Sequence, residues 1–261
     1  MSANNRTVQS VDRALIILKH IAGQAHRPVT LGELTERIGI DRSAAYRLVT
    51  TLVDHNLVHQ DSGKRGYSLG AEILKLAGAM ERQLDIRELA RPLLRTLNEQ
   101  SGEDTHLCIP GDDHGVIIDK LPSREALSVN TMVGGMVQLH NSAIGKALLC
   151  SHDEEEVRVL FRGRRLEKTA SCTITRIKDL VSELERIRMK RLAIDDEEYK
   201  DGLKCLAAPI FNHHGKVAFS IGISGPKERV EKNIRSLEAS IVDAGIQLSK
   251  KLGFVEEEAR S

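Results

Sequence analysis

Tryptophan is absent and aromatic residues make up only 3% of the chain, so any core must rest on Leu, Ile, Val and Ala. No apolar run approaches the ~18 residues that would cross a membrane. The opening Met1–Arg6 is short and polar, without the apolar stretch of a secretion signal, and a cytoplasmic protein is expected. The four cysteines, Cys108, Cys150, Cys172 and Cys205, are far apart and form no C-x-x-C pair. That excludes a disulfide framework and a structural zinc knuckle. A Gly-rich phosphate loop, internal repeats and low-complexity tracts are also missing, and the net charge is only +1.

What is present is a chain of 261 residues, 41% hydrophobic and 29% charged, long enough for one large domain or two ordinary ones. The charge is unevenly placed. Residues 1–70 hold nine Lys or Arg against six Asp or Glu, a net of +3, whereas the remainder holds 29 against 31. This bias permits a nucleic-acid-binding front end without establishing one.

The first helix carries Val11, Ala14, Leu15, Ile17, Leu18 and Ile21 on one face, with Ser10 as its expected cap and Gly23 as its stop. Thr30 and Glu33 form a capping-box pattern that opens a second helix, ending at Gly39. A third, Arg42 to His55, follows after two residues. Ala45, Leu48, Val49 and Leu52 face inward, leaving Arg42, Ser43, Tyr46, Arg47 and Thr50 outward. Two helices across a tight Gly-containing turn are a helix-turn-helix, although a plain three-helix bundle fits this segment equally well. Strands at Leu57–Gln60 and Tyr67–Leu69, with Lys64 and Arg65 at the turn between them, add a basic hairpin suited to phosphates. Together they predict a winged helix-turn-helix. Its candidate DNA contacts are Thr30, Arg42, Ser43, Ala44, Tyr46, Arg47 and Thr50, with Lys64 and Arg65 on the wing.

Residues 71–84 read as an amphipathic linker helix with Ile73, Leu74, Ala77 and Met80 on its apolar side, either a rigid connector or a dimerisation surface. The next helix runs to Gly102, and Pro92 within it predicts a kink or a later start. Beyond Gly102 strands and helices alternate. Strands are expected at Thr105–Ile109, Val116–Lys120, Leu127–Val133, Leu192–Ile194, Cys205–Phe211 and Lys216–Ser224, and a long closing helix at Val230–Gly253. The class is α+β with a largely antiparallel sheet.

Catalytic motifs fail on inspection. Gly222–Pro226 approaches a nucleophile elbow but has Pro in the fifth position and no elbow helix behind it. His213 and His214 lack the helical spacing of a zinc pair. His106 and Cys108 share a strand face and, with Cys205, would be candidate metal ligands, but no tight ligand cluster surrounds them. No metal, cofactor or enzyme activity is expected. The remaining features suit binding. Asn141–Lys146 opens a helix whose free amides attract an anion. Asp195, Asp196, Glu197 and Glu198 follow a strand ahead of Gly202, where they accept from ligand hydroxyls or fix loop amides.

Asn141–Leu149, Asp195–Glu198 with Gly202–Ile210, and Ile221–Pro226 resemble the effector domain of the IclR (isocitrate lyase regulator) family. Val8–Leu15, Arg42–Leu48 and Gly66–Gly70 resemble that family's winged-helix segments, so the similarity covers nearly the whole chain in order. The resemblance implies a GAF-like α/β effector domain, homodimers or dimers of dimers on operator DNA, and small organic acids as effectors. It places the effector-binding residues at Ser142, Ala143 and Ile144, at Asp195, Leu203 and Cys205, and at Ser224, with Val129 and Val137 as apolar wall. Two positions depart from it. Gly222 stands where family members often carry Ser or another polar residue, and Ile144 where they often carry Gly or another small one. The implied layout is a DNA-binding domain over 8–70, the linker helix over 71–84 and the effector domain over 85–254. The rival readings are a C-terminal domain used only for assembly and, more remotely, a hydrolase or transferase built on Cys205 or Ser224.

Overall fold

The computed structural model describes residues 7–24, 27–61, 66–125, 129 and 131–255. Two compact units emerge, Met1–Leu84 and Asp85–Ser261.

In the first unit α1 (Gln9–Ala22) sends Ile17 and Ile21 into a core shared with Leu34, Val49, Leu52 and Tyr67. Ser10, expected as its cap, lies inside the helix; the chain enters through Val8 and no side chain caps it. A two-residue strand, β1 (Val29–Thr30), leads into α2 (Leu31–Ile38). Here the capping box forms: the Glu33 amide donates to Thr30 Oγ1 at 3.3 Å and the Thr30 amide to Glu33 Oε2 at 2.7 Å. Gly39 ends α2 in the left-handed region at φ 69°, which reverses the chain quickly into α3 (Arg42–Asp54). The strands β2 (Val58–Asp61) and β3 (Gly66–Leu69) pair antiparallel, and β1 adds to the other edge of β3. The hairpin tip with Lys64 and Arg65 lies outside the described residues. Helix α4 (Glu72–Gln83) follows, with Leu74 78% exposed and Met80 50% exposed.

The second unit is one six-stranded antiparallel sheet, ordered β6-β5-β4-β9-β8-β7, with helices on both faces. It begins with α5 (Ile86–Ser101), capped by Asp85 through the Arg87 amide at 2.9 Å. The helix starts ahead of Pro92, so the later start is not taken. Proline deprives the Glu88 carbonyl of its helical partner, and it does so at an exposed residue. Then come β4 (Asp104–Pro110), β5 (His114–Leu121) and β6 (Met136–Gln138). The strand expected at Leu127–Val133 is not formed by its described residues, Val129 and Thr131–Val133; the rest of that segment lies outside them. The helices α6 (Ala143–Leu149), α7 (Glu154–Leu160) and α8 (Ile177–Lys190) precede β7 (Ala193–Asp196), β8 (Leu203–Phe211) and β9 (Val217–Pro226). The long closing helix is in fact two, α9 (Lys227–Lys232) and α10 (Ile234–Lys251), broken where Asn233 leaves helical geometry at φ −125°.

Period-two alternation assigns the faces. Leu107, Leu206, Ala208, Ile221 and Ile223 pack under α5 and α10. Their neighbours Cys108, Cys205 and Ala207 join the core beneath α6, α7 and α8. In that second layer the sheet is not wholly covered, and a cavity opens.

Candidate functional site

The N-terminal surface is organised by Asp41. Its Oδ1 accepts from the Ser43 and Ala44 amides at 3.0 and 2.9 Å and from the Ser43 hydroxyl at 2.7 Å. Ser43 and Ala44 are therefore engaged in capping α3, and Thr30 in capping α2, which positions these helices but occupies their donors. Arg42, Tyr46 and Arg47 project freely, Tyr46 being 53% exposed, while Thr50 is half-buried. Arg42, Ser43 and Tyr46 share a shallow groove with Leu31, Gln60 and Tyr67. The pattern on α3 thus brings two guanidinium groups and a phenol to one surface beside the β2–β3 hairpin.

In the second unit a cavity of about 280 Å³ lies between the sheet and α6. Its wall contains all nine residues named from the sequence: Val129 and Val137 before α6, Ser142, Ala143 and Ile144 at its start, Asp195 on β7, Leu203 and Cys205 on β8, and Ser224 on β9. Register explains part of this convergence. Asp195 pairs with Cys205 and Cys205 with Ser224, so three adjacent strands present one row to the same face. His106, Ile117, Thr131, Met132, Gly135, Met136 and Tyr199 complete the wall and were not foreseen as lining residues.

The acidic loop acts through its geometry. Asp195 Oδ1 accepts the Glu198 and Tyr199 amides at 2.8 and 3.2 Å, fixing the turn, and the Cys205 thiol touches the carboxylate from the neighbouring strand. Burial pushes the Asp195 carboxyl above the usual carboxylate range, against the two amides and Lys146, which hold it down. Lys146, on α6, is fully buried; its Nζ donates to the Ile194 carbonyl at 2.6 Å and pairs with Glu198. Burial pushes Lys146 down, and Glu198 holds its charge in place. Sequence reasoning missed this anchor, which ties α6 to the loop after β7. Burial also pushes the Cys108 thiol up to about 12 and raises that of Cys205, so neither is a ready thiolate. Among the described residues no group of three or more His, Cys, Asp or Glu could hold a metal ion.

The start of α6 is less open than its sequence implied. The Gly145 amide donates to Ser142 Oγ at 3.1 Å, and that hydroxyl donates to the Gln138 carbonyl at 2.6 Å. One of the first turn's amides is therefore already taken by the cap. Gly145 itself is required: a Cβ there would lie 2.2 Å from the Gln138 carbonyl oxygen. At Gly222 the neighbour is different. A Cβ would lie 2.7 Å from Ile144 Cγ1, so the Ile144 side chain fills the space that a residue at 222 would use.

His106 is 1% exposed, and burial holds its pKa down at about 4. In the unfolded chain the imidazole takes a proton as pH falls through 6.5; in the folded chain it resists until about 4. Its contribution to stability is complete above pH 6.5 and lost as pH falls toward 4, by about 3 kcal/mol over the interval. His106→Leu is expected to flatten the pH dependence of stability by that amount, read from urea melts at pH 7 and 4.5. An unchanged slope would show that the ring is hydrated in the folded protein.

Comparison with known proteins places both units. The model of the bacterial transcriptional regulator IclR C-terminal domain matches residues 79–250, and that of the IclR helix-turn-helix domain matches residues 10–62. The HTH-type transcriptional regulator BhcR of Paracoccus denitrificans is 32% identical over 243 residues, 93% of this chain and 86% of that protein. The transcriptional repressor IclR of Escherichia coli is 29% identical over 249 residues, 94% of this chain and 90% of the repressor. Among solved structures, a Silicibacter protein assigned as an ICLR transcriptional regulator superposes with a TM-score of 0.80 at 25% identity, covering 94% of this chain and 96% of its own.

Proposed function

Because this chain belongs to the IclR family of bacterial transcriptional regulators and carries that family's DNA-binding helix-turn-helix, we propose that a small organic acid bound in the C-terminal cavity controls its operator affinity. The controlled genes would serve a catabolic pathway, and the protein would act in the cytoplasm; no described helix is long and apolar enough to cross a membrane. The observation that carries the reading is the cavity itself: a wall of Val129, Val137, Leu203 and Ile144 interrupted by the polar residues Ser142, Asp195 and Ser224. Apolar walls with a few convergent polar groups are the usual form of a small-molecule site. Linkage requires the acid to bind the operator-competent and incompetent forms unequally. Fluorescence anisotropy on DNA from upstream of the adjoining genes, with and without a panel of keto, sugar and aromatic acids, tests this. Operator affinity indifferent to every acid would leave assembly as the function of the domain.

The reading includes a homodimer, alone or paired into a tetramer, on a near-palindromic operator, since one helix-turn-helix reaches only one half-site. The exposed Leu74, Ala77 and Met80 on α4, with the half-buried Ile73 on the same side, are the proposed contact. Leu74→Glu is expected to give monomers in sedimentation at micromolar concentration. A folded variant that stays dimeric would move the interface elsewhere.

A further inference from the structure

Polarity is divided along the cavity. It crosses the sheet from β6 toward β7, with β5, β4, β9 and β8 between. At the β9–β7 end the wall brings hydroxyl groups, from Ser224 and from Tyr199 in the loop after β7. At the other end it brings Ile117 on β5, Met136 and Val137 on β6, and Met132 ahead of that strand. The hydrogen-bonding side chains on this half, among the described residues, are His106 and Thr131. Their ring nitrogens and hydroxyl are buried within the protein and take no part in the lining surface. Ser142 spends its hydroxyl on the Gln138 carbonyl and the Gly145 amide. In the middle Ile144 lies over Gly222, where β9 contributes no side chain.

The apolar half also reaches the surface. Met132 is 65% exposed and Met136 74% exposed, yet both line the cavity. Side chains that do both stand at its opening. Apolar groups held in water beside a cavity mark a place of ligand contact, and a thioether chain adapts to the shape it meets. From β9 to β6 is three strand spacings, about 14 Å. An acid of two or three carbons fills one end only. A sugar acid reaches further, but it carries hydroxyls onto a surface without partners, where each loses water and gains nothing.

We infer, on the reading that this cavity is the effector site, that the effector is an amphipathic acid with a bare hydrocarbon body of about six carbons. Met136, together with Met132, is a specificity-determining residue that covers this body at the opening. The polar head lies at the Ser224–Tyr199 end.

Calorimetry on the full-length protein tests this with the straight-chain series propanoate, butanoate, pentanoate and hexanoate, and with D-gluconate as the six-carbon acid rich in hydroxyls. Affinity for wild type is expected to rise about fourfold with each added methylene, and hexanoate to bind more tightly than gluconate. Met136→Ser is expected to lower the hexanoate-to-propanoate ratio about fivefold and to leave propanoate binding unchanged. A merely structural residue would weaken both acids alike. Met136→Leu, which keeps the apolar surface, retains the ratio, and Met132→Ser lowers it from the same rim. A flat series, gluconate bound more tightly than hexanoate, or a ratio that survives the double serine variant overturns the inference and leaves the effector reading intact. So does a double serine variant that keeps the ratio but falls in mass in sedimentation, which would assign the rim to contact between two copies of the chain. No heat from any of these acids, nor from the keto, sugar and aromatic panel, overturns the effector reading beneath it.

Discussion

Replacing Asp195 by asparagine is expected to weaken effector binding by about ten- to a hundredfold, the usual cost of losing one hydrogen bond to a charged group. The two oxygens of this carboxylate are held differently. Oδ1 holds the Glu198 and Tyr199 amides, and the residue itself belongs to the cavity lining with Oδ2 outside those amide bonds. Asparagine keeps an oxygen for the loop and presents an NH₂ where the ligand requires an acceptor. Alanine removes both, so Asp195→Ala is expected to lose the effector response and also about 1–3 kcal/mol of stability from the released amides. Calorimetry and urea melts on the two variants divide these effects. An asparagine variant that binds effector as wild type does would reduce Asp195 to a loop carboxylate.

On the DNA side, Arg47→Ala is expected to cost about 1–3 kcal/mol of operator affinity and to relax specificity at one base pair, as loss of a bidentate base contact does. Arg47 projects from α3 with no capping duty, unlike Ser43, whose hydroxyl is held by Asp41. Removing Lys64 and Arg65 together is expected to weaken all sequences alike and to lower the salt slope by about two. Titrations on operator and scrambled duplexes at several salt concentrations distinguish the two patterns. Unchanged operator affinity in an Arg47→Ala, Arg65→Ala double variant would remove this surface from DNA recognition.

Local chemistry made much of the fold legible. The Thr30–Glu33 box, the Gly39 stop and the alternation along β8 and β9 each have a short-range cause, and each lies within a residue or two of its expected place. Features without a short-range cause were lost. β1 is two residues long and exists only because β3 lies beside it. Asn233 breaks the last helix with neither Gly nor Pro to announce it, and β6 at Met136–Gln138 lies beyond the apolar run Leu127–Val133 that was expected to be a strand. The cavity wall divides in the same way. Its motif-borne residues were legible, whereas Thr131 and Tyr199 belong to no pattern. His106 was visible as a strand residue sharing a face with Cys108, but only as a metal ligand. Its want of a partner depends on Gly222, which comes opposite it through pairing across more than a hundred positions of sequence.

Ile144 and Gly222 were two separate departures in the sequence and are one contact in the fold. The isoleucine branch sits where a side chain at 222 would begin, 2.7 Å from a Cβ built there. A change at either position alone is penalised. A larger residue at 222 meets Ile144, and a smaller one at 144 leaves a void over the bare strand, each a matter of about 1–3 kcal/mol. Only the double exchange restores a filled floor. A lineage drifting toward a different ligand would therefore have to cross a valley of poorly folded single mutants, and a designer retuning this regulator should screen positions 144 and 222 as a joint library rather than one at a time.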